Sequence, residues 1–302
     1  MGVRFSERVT DMKVFLFPNY NKKHSRATTS EACDILNSLG CEVILPLHCR
    51  EYFPNSDYTF VDIETGTERC DVMISVGGDG TILRCAKYAS EYGKELLGIN
   101  CGRLGFMATL EREELSQLKK LVDGDYHVDQ RMMLEVSVAF ENGAEKSLTA
   151  LNEAVISSGY GSGIHDFTVL ANGLTVSSLR ADGLIFSTPT GASAYSLSAG
   201  GPLIEPTLDC IEFTQICPHS LFARTMVFSP DKTIEVRFKA DKDCAVILSV
   251  DGQEPIRLSE KDRITIKRSE QRLKLIDIRG DGYFRAINHK LMQPAKETEE
   301  TI

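Results

Sequence analysis

The sequence has no long apolar run. Its longest runs, such as Val14–Phe17 and Ala245–Leu248, are far shorter than the roughly 20 residues that span a bilayer. They are also too short for the apolar core of a secretory signal. We therefore expect no membrane segment and a cytoplasmic protein.

Metal-ligand and redox spacings are also missing. The nine cysteines are odd in number and no two stand at C-x-x-C spacing. The six histidines contain no H-x-x-x-H pair. This pattern predicts reduced, mostly buried thiols and no structural metal site.

Positive charge is scarce. The 302 residues carry 34 Lys plus Arg against 43 Asp plus Glu, a net charge of -9. A protein that binds nucleic acid through its phosphates usually shows the opposite balance, so we expect no nucleic-acid partner. The composition, 42% hydrophobic and 25% charged, is that of a folded chain with one large domain or two ordinary ones.

Strands alternate with helices in the first part of the chain. Apolar runs typical of buried strands stand at Val14–Phe17, Val43–Leu45, Val72–Val76 and Leu96–Ile99. Helical spacing separates them, with one helix closed by Gly40 and another predicted from Ile82 to Tyr92. This alternation predicts a parallel α/β sheet, which we assign to a first domain over residues 1–127.

In the second half the period of the pattern changes to two. Segments such as Leu134–Val138 and Ile234–Phe238 alternate apolar and polar side chains, as half-buried antiparallel strands do. Asn172-Gly173 stands between two such segments and predicts a two-residue hairpin. We expect a mostly β domain over 128–275 and a C-terminal segment over 276–302. That segment should pack back on the first domain and end in a frayed, charged tail.

The motif Gly77-Gly78-Asp79-Gly80-Thr81 follows a buried strand and precedes a helix. Glycines let the backbone turn tightly and bring its N–H groups against an anion, and the helix N-terminus offers further donors. The motif therefore predicts a phosphate site at Gly78 and Gly80. Asp79 could orient or deprotonate an attacking alcohol, or meet a Mg²⁺ ion. The alternative is that it only caps the helix.

Other glycine-rich and polar segments are less specific. No G-x-x-x-x-G-K-[ST] motif is present, and Gly159–Gly163 has the wrong spacing for a dinucleotide fingerprint. Residues 182–202 begin as a strand and continue in small and hydroxyl residues. This composition favours the lining of a polar ligand groove over a core. Asn152-Glu153 could bind a ribose or an adenine edge, although such a pair more often lies on an ordinary exposed surface.

Taken in order, these elements resemble one family. The matching segments are Gly77–Thr81, Leu97–Asn100, Leu104–Phe106, Asn152-Glu153, the run from Asp182 to Pro202, and Asp251–Gln253. Over nearly the whole chain they are similar to the NAD kinase family, whereas lipid kinases and phosphofructokinases look similar only at Gly-Gly-Asp-Gly. The resemblance implies an N-terminal α/β domain with a Rossmann-like parallel sheet and a C-terminal antiparallel β-sandwich-like domain. It also implies an active site between them and a homo-oligomer, either a dimer or a tetramer.

The resemblance further implies roles for individual residues. Asp79 matches the family's catalytic proton acceptor, with Gly78 and Gly80 beside it in the nucleotide site. The other nucleotide-binding positions that the match implies are Asn152, Glu153, Asp182, Thr190, Ser193, Ala194, Tyr195, Ser196, Leu197, Ser198 and Gln253. Among these, Asp182 is expected to help hold the nicotinamide half.

Some positions depart from the family's pattern or need separate weighing. Ala192 replaces a residue that usually carries a hydroxyl, while Ser193 keeps one. Gly163 stands where many members carry a basic or imidazole side chain, and His165 follows it, so no contact is assigned there. Arg180 has two interpretations, either a solvated charge or a residue beside the nicotinamide ring. We include it among the predicted binding residues.

The sequence therefore predicts a kinase that phosphorylates the 2′-hydroxyl on the adenosine ribose of NAD. Its substrates are NAD and ATP, with Mg²⁺ or another divalent cation. One alternative is a kinase of another hydroxylated substrate, such as a lipid or a sugar phosphate, that shares only the glycine-rich element. The other is a catalytically silent dinucleotide-binding regulator, which the presence of Asp79 argues against.

Overall fold

The computed structural model describes residues 11–102, 105–159, 163–220, 222–241, 244–280 and 282–292. Leu104 and the charged C-terminal tail, both named above, lie outside the described residues. Contacts divide the chain into two units. The first unit contains the residues up to Asp129 and those from Leu273 onward, and the second unit is Gln130–Arg272.

The structure contains the following elements among its described residues. The strands are β1 Lys13–Pro18, β2 Glu42–Pro46, β3 Thr59–Val61, β4 Val72–Gly77, β5 Glu95–Asn100, β6 Leu110–Glu111, β7 His127–Ala139, β8 Glu145–Ala150, β9 Glu153–Ser158, β10 His165–Ala171, β11 Leu174–Ala181, β12 Gly183–Ser187, β13 Ile211–Ile216, β14 Met226–Phe228, β15 Ile234–Lys239, β16 Val246–Val250, β17 Ile256–Leu258 and β18 Arg263–Asp277. The α-helices are α1 Ser25–Ser38, α2 Ile63–Arg69, α3 Asp79–Glu91, α4 Leu118–Asp123, α5 Tyr195–Ser198 and α6 Gly282–Ile287. Shorter helical turns occupy Leu47–Tyr52, Arg112–Gln117, Gly191–Ser193 and Asn288–Met292.

The first unit is built on a parallel sheet in the order β3-β2-β1-β4-β5. β6 and two residues near the end of β18, Lys274 and Leu275, pair with β5 in the same direction. β1, β4 and β5 are buried over nearly their whole length, as expected where helices cover a parallel sheet. Apolar side chains of the sheet pack with Leu36 of α1 and Leu121 of α4 in one core cluster. The predicted parallel α/β architecture is confirmed.

In the first unit, one helix ends where the sequence predicts it, whereas another begins earlier than predicted. The residue after α1, Leu39, is followed by Gly40 with φ 85°, as the predicted glycine stop requires. The predicted start of α3 at Ile82 is wrong, because Gly78 is the N-cap and Asp79 is already helical. A carboxylate in the first turn is stabilised by the helix dipole. The consequence is that Asp79 stands at the helix N-terminus.

Two antiparallel sheets make up the second unit. One has the order β14-β13-β12-β9-β16-β17, and the other contains β11, β10, β15, β18, β7 and β8. Apolar side chains from both sheets, among them Ile156, Phe186, Val236 and Ile264, form a single core cluster. The inner faces of the two sheets therefore pack against each other. This confirms the predicted antiparallel, sandwich-like architecture.

Tight hairpins in the second unit use residues with a left-handed backbone. Asn172 and Gly173, with φ 48° and 79°, join β10 to β11 as predicted. Asp251 and Gly252, with φ 48° and 66°, follow β16 in the same way. Two consecutive positive φ angles are typical of the type I′ turn, which matches the twist of paired strands. The second of these turns takes part in the candidate site.

The thiols are as the sequence analysis expected. All nine cysteines are free, and all but Cys217 and Cys244 are buried. In the part of the chain that the structure describes, no helix combines the length and the apolar character needed to cross a membrane.

Candidate active site

The glycine-rich motif lies where the parallel strands of the first unit end. β4 ends at Gly77, Gly78 is the N-cap of α3, and Asp79 is the first helical residue. Ligands commonly bind at this edge of a parallel sheet, because the carboxyl ends of strands and the N-termini of helices meet there. The predicted phosphate motif therefore lies in a position suited to anions.

The carboxylate of Asp79 is held by the backbone of a neighbouring loop. Its Oδ2 accepts the N–H of Phe106 at 2.8 Å, and its Oδ1 accepts that of Met107 at 3.2 Å. The N-cap of α3 is Gly78 and no side chain caps this helix, so Asp79 does not serve as its cap. Each carboxylate oxygen has a further lone pair. The half-buried group can therefore accept a proton from a bound hydroxyl.

Gly77 and Gly105 are needed for close approach and not for a left-handed backbone. The sequence analysis expected the glycines of the motif to let the backbone turn tightly, but neither Gly77 nor Gly80 has a positive φ. A Cβ on Gly77 would lie 2.2 Å from Thr81 Oγ1, and a Cβ on Gly105 would lie 1.9 Å from Asp79 Oδ1. A Cβ on Gly80 would meet no atom within 4 Å. The fold itself therefore does not require glycine at position 80.

Two polar side chains at this edge of the sheet were not assigned a role from the sequence. Asn19, one residue past β1, donates through Nδ2 to Thr81 Oγ1 at 3.3 Å. Asn100, the last residue of β5, donates to the carbonyl of Gly102 at 3.0 Å and accepts its N–H at 3.2 Å. Both follow apolar strand runs directly, which is the signal that could have identified them. They fix the loops beside Asp79.

In the second unit, Asn152 and Glu153 are organised by the carboxylate of Asp251. This carboxylate accepts the N–H groups of Leu151, Asn152 and Glu153 at 2.7, 2.9 and 3.0 Å. Its position in the tight turn after β16 aims it at this backbone. Gln253, in the same turn, is exposed. The sequence analysis named both segments but did not predict that one holds the other.

Predicted residues in this cluster have buried polar atoms with no hydrogen-bond partner among the described residues. These atoms are Asn152 Oδ1, Glu153 Oε2 and Thr190 Oγ1. Buried polar atoms are normally hydrogen-bonded, and each one left without a partner costs roughly 1–3 kcal/mol. Thr188, two residues before Thr190, donates its N–H to the carbonyl of Asn152 at 2.9 Å, which brings the two segments together. The three orphaned atoms therefore indicate a place where a ligand could bind.

The carboxyl group of Glu153 has a pKa well above its ordinary value. Burial raises the pKa of its carboxyl to about 7, the negative charge of Asp251 acts in the same direction, and the backbone amide of Tyr195 opposes them. Strongly shifted groups are concentrated at functional sites, although structural networks shift them as well. The position of Glu153 beside two other orphaned polar atoms favours the functional interpretation.

The shifted pKa of Glu153 predicts how the stability of the protein depends on pH. A carboxyl whose pKa is raised by folding stabilises the protein while it is protonated. This contribution to the free energy of unfolding is complete below the unfolded pKa of 4.5, and it is lost as the pH rises through about 7. The shift corresponds to about 3 kcal/mol. We expect Glu153→Gln to remove this part of the decline in the free energy of unfolding between pH 4.5 and about 7. The measurement is the free energy of unfolding by urea at a series of pH values.

A matched control for this prediction is Glu145→Gln, since Glu145 is exposed on β8 of the same unit. Its unfolding free energy should follow that of the parent at every pH. A Glu153→Gln variant whose pH dependence is the same as that of the parent would contradict the assignment.

Residues 182–202 are packed more closely than predicted. We expected too little apolar material for a core, but β12 is buried along its whole length, and Thr188 and Thr190 are buried as well. A Cβ on Gly191 would lie 2.2 Å from the backbone oxygen of Asn152. Small residues here therefore permit close packing, which the sequence analysis did not predict, and the lining of a ligand groove stays a prediction for this run.

The later predicted positions of this run lie in and around α5. Ser193, Ala194 and Leu197 are half-buried, Tyr195 and Ser198 are exposed, and Ser196 is fully buried. The Ser193 hydroxyl donates to the carbonyl of Thr190 at 3.1 Å, so it is already satisfied. The side chain of Tyr195, which is 45% exposed, is the largest surface that this segment offers to a ligand.

Arg180 and Asp182 lie at the other end of β12 from Glu153. Glu153 pairs with Ser187, the last residue of β12, whereas Asp182 directly precedes Gly183 at its start. With a rise of about 3.4 Å per residue, the two ends are roughly 15 Å apart. The structure therefore separates these two predicted residues from the cluster around Glu153.

The side chain of Arg180 forms an ion pair across the β10-β11 hairpin. Its Nε lies 3.1 Å from the carboxylate of Asp166, which stands directly opposite in the register. Both side chains are more than half exposed. They line a surface cavity of about 450 Å³ together with His219, whose N–H donates to the carbonyl of Arg180 at 2.8 Å. The cavity presents both signs of charge to a polar group.

His165, to which the sequence analysis assigned no contact, is a buried structural residue. Its Nδ1 accepts the N–H of Asp241 at 3.3 Å, so Nε2 carries the proton and faces Ser158 Oγ at 2.9 Å. Ser158 donates in turn to the carbonyl of Gly163 at 2.7 Å. Burial lowers the pKa of His165, which favours this neutral form. The imidazole therefore does not activate Ser158 as a nucleophile.

Family models match both units of the chain. The ATP-NAD kinase N-terminal domain matches residues 14–126, and the ATP-NAD kinase C-terminal domain matches residues 151–278. The NAD kinase of Natranaerobius thermophilus is 34% identical over 279 residues, which are 92% of this chain and 97% of that relative. The NAD kinase of Symbiobacterium thermophilum is 39% identical over 222 residues, 73% of this chain and 78% of that relative.

Solved structures give the same result. An NAD kinase from Archaeoglobus fulgidus in complex with ATP is 29% identical with a TM-score of 0.69, over 93% of this chain and 98% of that one. Yeast NADH kinase complexed with NADH has a TM-score of 0.83 over 100% of this chain and 95% of that one, and at 22% identity it supports the fold alone. The resemblance and the kinase function predicted from the sequence are thus confirmed. This chain belongs to the NAD kinase family.

Proposed function

We propose that this chain transfers the γ-phosphoryl group of ATP to the 2′-hydroxyl of the adenosine ribose of NAD, with Asp79 as the proton acceptor. The observation that carries the proposal is the carboxylate of Asp79, which the amides of Phe106 and Met107 hold at the N-terminus of α3. A fixed carboxylate of this kind orients an attacking hydroxyl and takes its proton.

In this reaction one bond to phosphorus replaces another. The ribose 2′-oxygen bonds to the γ-phosphorus while the bond from that phosphorus to the β,γ-bridging oxygen breaks. The products are NADP and ADP, and the hydroxyl proton passes to Asp79. The lone pairs that Asp79 keeps beyond its two backbone hydrogen bonds can accept this proton.

The N-terminus of α3 would bind phosphate oxygens. The helix has 13 residues and no side-chain cap. The Thr81 amide donates to the carbonyl of Gly78, so the amides of Asp79 and Gly80 and the helix dipole are what this terminus offers to an anion. A Cβ at Gly80 would point into open space, and one at Gly78 would meet only Asn100 Oδ1 at 3.9 Å. Both glycines therefore leave room for a phosphate against the backbone.

A divalent cation, Mg²⁺ or another, accompanies ATP in this proposal. Among the described residues no group of three or more His, Cys, Asp and Glu is placed to hold a metal ion. Mg²⁺ in phosphoryl-transfer sites is commonly bound by one or two carboxylates, by waters and by substrate phosphates. Asp79, the carboxylate of the glycine-rich motif, fits that pattern. Such a cation would neutralise charge on the transferring phosphoryl group.

The two predicted clusters of the second unit would bind different parts of NAD. Asn152, Glu153 and Thr190 offer orphaned polar atoms to one part. Arg180, near the end of β11, and Asp182, just before β12, are offered to the nicotinamide half. A separation of roughly 15 Å along the strand suits an extended dinucleotide better than a small sugar phosphate. This spacing supports NAD as the acceptor.

We also propose that the chain forms a dimer or a tetramer in the cytoplasm. Phe222 is 87% exposed, and Leu208 and Val227 are 54% exposed, and such apolar side chains favour burial against another copy. The free cysteines favour a reducing compartment. Light scattering of the purified chain should give a multiple of 33.5 kDa. A monomer at every protein concentration would contradict the oligomer.

The function is tested by incubating the chain with NAD, ATP and Mg²⁺ and reading NADP with an NADP-specific dehydrogenase. We expect NADP to accumulate in proportion to enzyme. Parallel reactions with diacylglycerol or a sugar phosphate in place of NAD test the alternative acceptors. NAD binding without turnover under any divalent metal would favour the silent regulator.

The position of Arg180 predicts a preference for NAD over NADH. Asp166 neutralises much of its charge, so the guanidinium can contact the nicotinamide end without strongly repelling the cationic oxidised ring. A pocket shaped for the flat oxidised ring should fit the puckered ring of NADH less well. Exposed charge contacts are worth up to ~1 kcal/mol, so Arg180→Gly should change the ratio of kcat/KM values by about 5-fold at most.

Arg237→Gly is a matched control for this prediction. Arg237 is an exposed arginine on β15 that pairs with Glu235 at 2.7 Å, and nothing assigns it a ligand. Its NAD to NADH ratio should equal that of the parent. Equal use of NAD and NADH by the parent, or an unchanged ratio in Arg180→Gly, would remove Arg180 from the site.

A further inference from the structure

Glu212 is a carboxyl group that the mechanism above does not use. It lies on β13, and its side chain is completely buried. The side chains that hydrogen-bond to it among the described residues are hydroxyls, those of Ser187, Ser196 and Thr214. A buried carboxylate without a cation beside it is costly, so this group needs an explanation.

The protons available around Glu212 indicate that it is a neutral acid. Ser187 has one proton, and its Oγ lies 2.7 Å from the carbonyl oxygen of Thr188 and 3.1 Å from Glu212 Oε2. Ser187 can donate its proton to only one of these two oxygens at a time, and the shorter distance favours the carbonyl of Thr188. The contact with Oε2 is then a hydrogen bond only if Glu212 donates it. Burial raises the pKa of Glu212, although its hydroxyl partners lower it. A raised pKa also favours the neutral acid.

The second oxygen of Glu212 holds α5. Oε1 accepts the hydroxyl of Ser196 at 2.8 Å and that of Thr214 at 3.1 Å. Thr225 extends the chain of hydroxyls at 3.0 Å from Thr214. A Cβ on Gly201 would lie 2.2 Å from Oε1, so the turn after α5 also packs directly on the carboxyl.

Glu212 also shares a face of the sheet with Glu153. Ser187 stands opposite Glu153 on one side and opposite Glu212 on the other, and directly opposed residues point to the same face. α5 contacts this row of three residues, Glu153, Ser187 and Glu212, at two places. Ser196 contacts Glu212, and the backbone amide of Tyr195 faces Glu153 and lowers its pKa. A displacement of α5 would therefore move this amide away from Glu153.

We propose that Glu212, as an uncharged carboxylic acid, is a positioning residue that fixes α5 through Ser196 and so sets the affinity for the dinucleotide. The inference rests on the proposed function, in which Glu153 contacts NAD, and on the sequence-based prediction that Tyr195 is a nucleotide-binding residue. Glu212 itself touches no substrate in this account.

Substitutions at Glu212 in the full chain test the proposal by kinetics. Glu212→Gln keeps a donor for Ser187 and an acceptor for Ser196 and Thr214 without charge, and should retain the KM for NAD of the parent. Glu212→Ala should raise this KM about 10-fold, because two anchoring hydrogen bonds are lost. The KM for ATP and kcat should change little. Thr225→Val removes only the outermost hydroxyl and serves as the control, with parent values expected.

Hydrogen exchange of the backbone amides over residues 195–200, followed by mass spectrometry, provides a readout that needs no turnover. We expect faster exchange in Glu212→Ala and parent rates in Glu212→Gln and Thr225→Val. Ser196→Ala breaks the same contact while leaving the carboxyl in place, so it should raise exchange and the KM for NAD even if Glu212→Ala does not fold.

Failure of this inference and failure of the proposed function give different results. A parent that makes no NADP contradicts the function, while the exchange measurement still reports on α5. A Glu212→Gln variant as impaired as Glu212→Ala would show that the charge is required and would overturn the proposal. Unchanged exchange in Ser196→Ala, or a higher KM for NAD without faster exchange, would overturn it as well.

Discussion

Asp79→Asn should lower kcat by ~10²–10⁴-fold, because the amide has nearly the same shape but cannot take the hydroxyl proton. The carboxylate accepts backbone N–H groups through both oxygens. Asparagine can replace only one of these acceptors, so the loop at Phe106 and Met107 will lose one hydrogen bond, worth about 1 kcal/mol. The fold and the binding of NAD should survive. Steady-state kinetics and calorimetric titration with NAD measure the two quantities separately.

Glu64→Gln is a matched control for Asp79→Asn. Glu64 is an exposed carboxylate in the first turn of α2, so its loss reproduces the effect of removing a negative charge from a helix N-terminus. Its kcat should equal that of the parent. An Asp79→Asn enzyme with a kcat within a few-fold of the parent would remove Asp79 from its catalytic role.

Gly80→Val should abolish most of the activity while the fold stays intact. A Cβ at this position meets no protein atom within 4 Å, so the side chain has room in the free protein. In the proposed complex the same space belongs to a phosphate, and a displacement of about 1 Å at the reacting centre can cost ~10²-fold in rate. We therefore expect kcat/KM to fall at least ~100-fold with a cooperative unfolding transition retained.

Lys87→Val controls for the cost of a β-branched residue in the same helix. Lys87 is exposed two turns after Gly80, and valine there should cost about 0.5 kcal/mol of stability without changing the kinetics. Parent-like nucleotide binding and rate in Gly80→Val would show that this helix N-terminus does not hold the phosphates.

Much of the fold follows from local patterns in the sequence. The run Val14–Phe17 and the apolar strand β4 are buried on both faces, as in a parallel sheet covered by helices, so their composition predicts their place. Asn172-Gly173 and Gly40 adopt the positive φ angles that their residue types allow at low cost. In these cases the relevant energy is local, and a short stretch of sequence contains it.

The contacts that build the site are not local, and the sequence did not predict them. Phe106 binds a carboxylate 27 residues away, and Asp251 binds amides about 100 residues before it. The partner of Arg180, Asp166, is set by the register of a bulged hairpin. Sequence motifs can therefore identify Asp79 or Asn152 as candidate site residues, but only the tertiary structure shows which groups hold them in place. Glu212 belongs to no sequence motif, and only its burial in the structure indicates a role for it.

The position of the new phosphate is the most direct test of the account. The full chain is incubated with NAD, ATP and Mg²⁺, and the purified dinucleotide product is examined by phosphorus nuclear magnetic resonance. We predict one new phosphomonoester, located on the 2′-oxygen of the adenosine ribose, and formed far more slowly by Asp79→Asn. A phosphate on any other oxygen, or release of inorganic phosphate from ATP with NAD unchanged, would contradict the account.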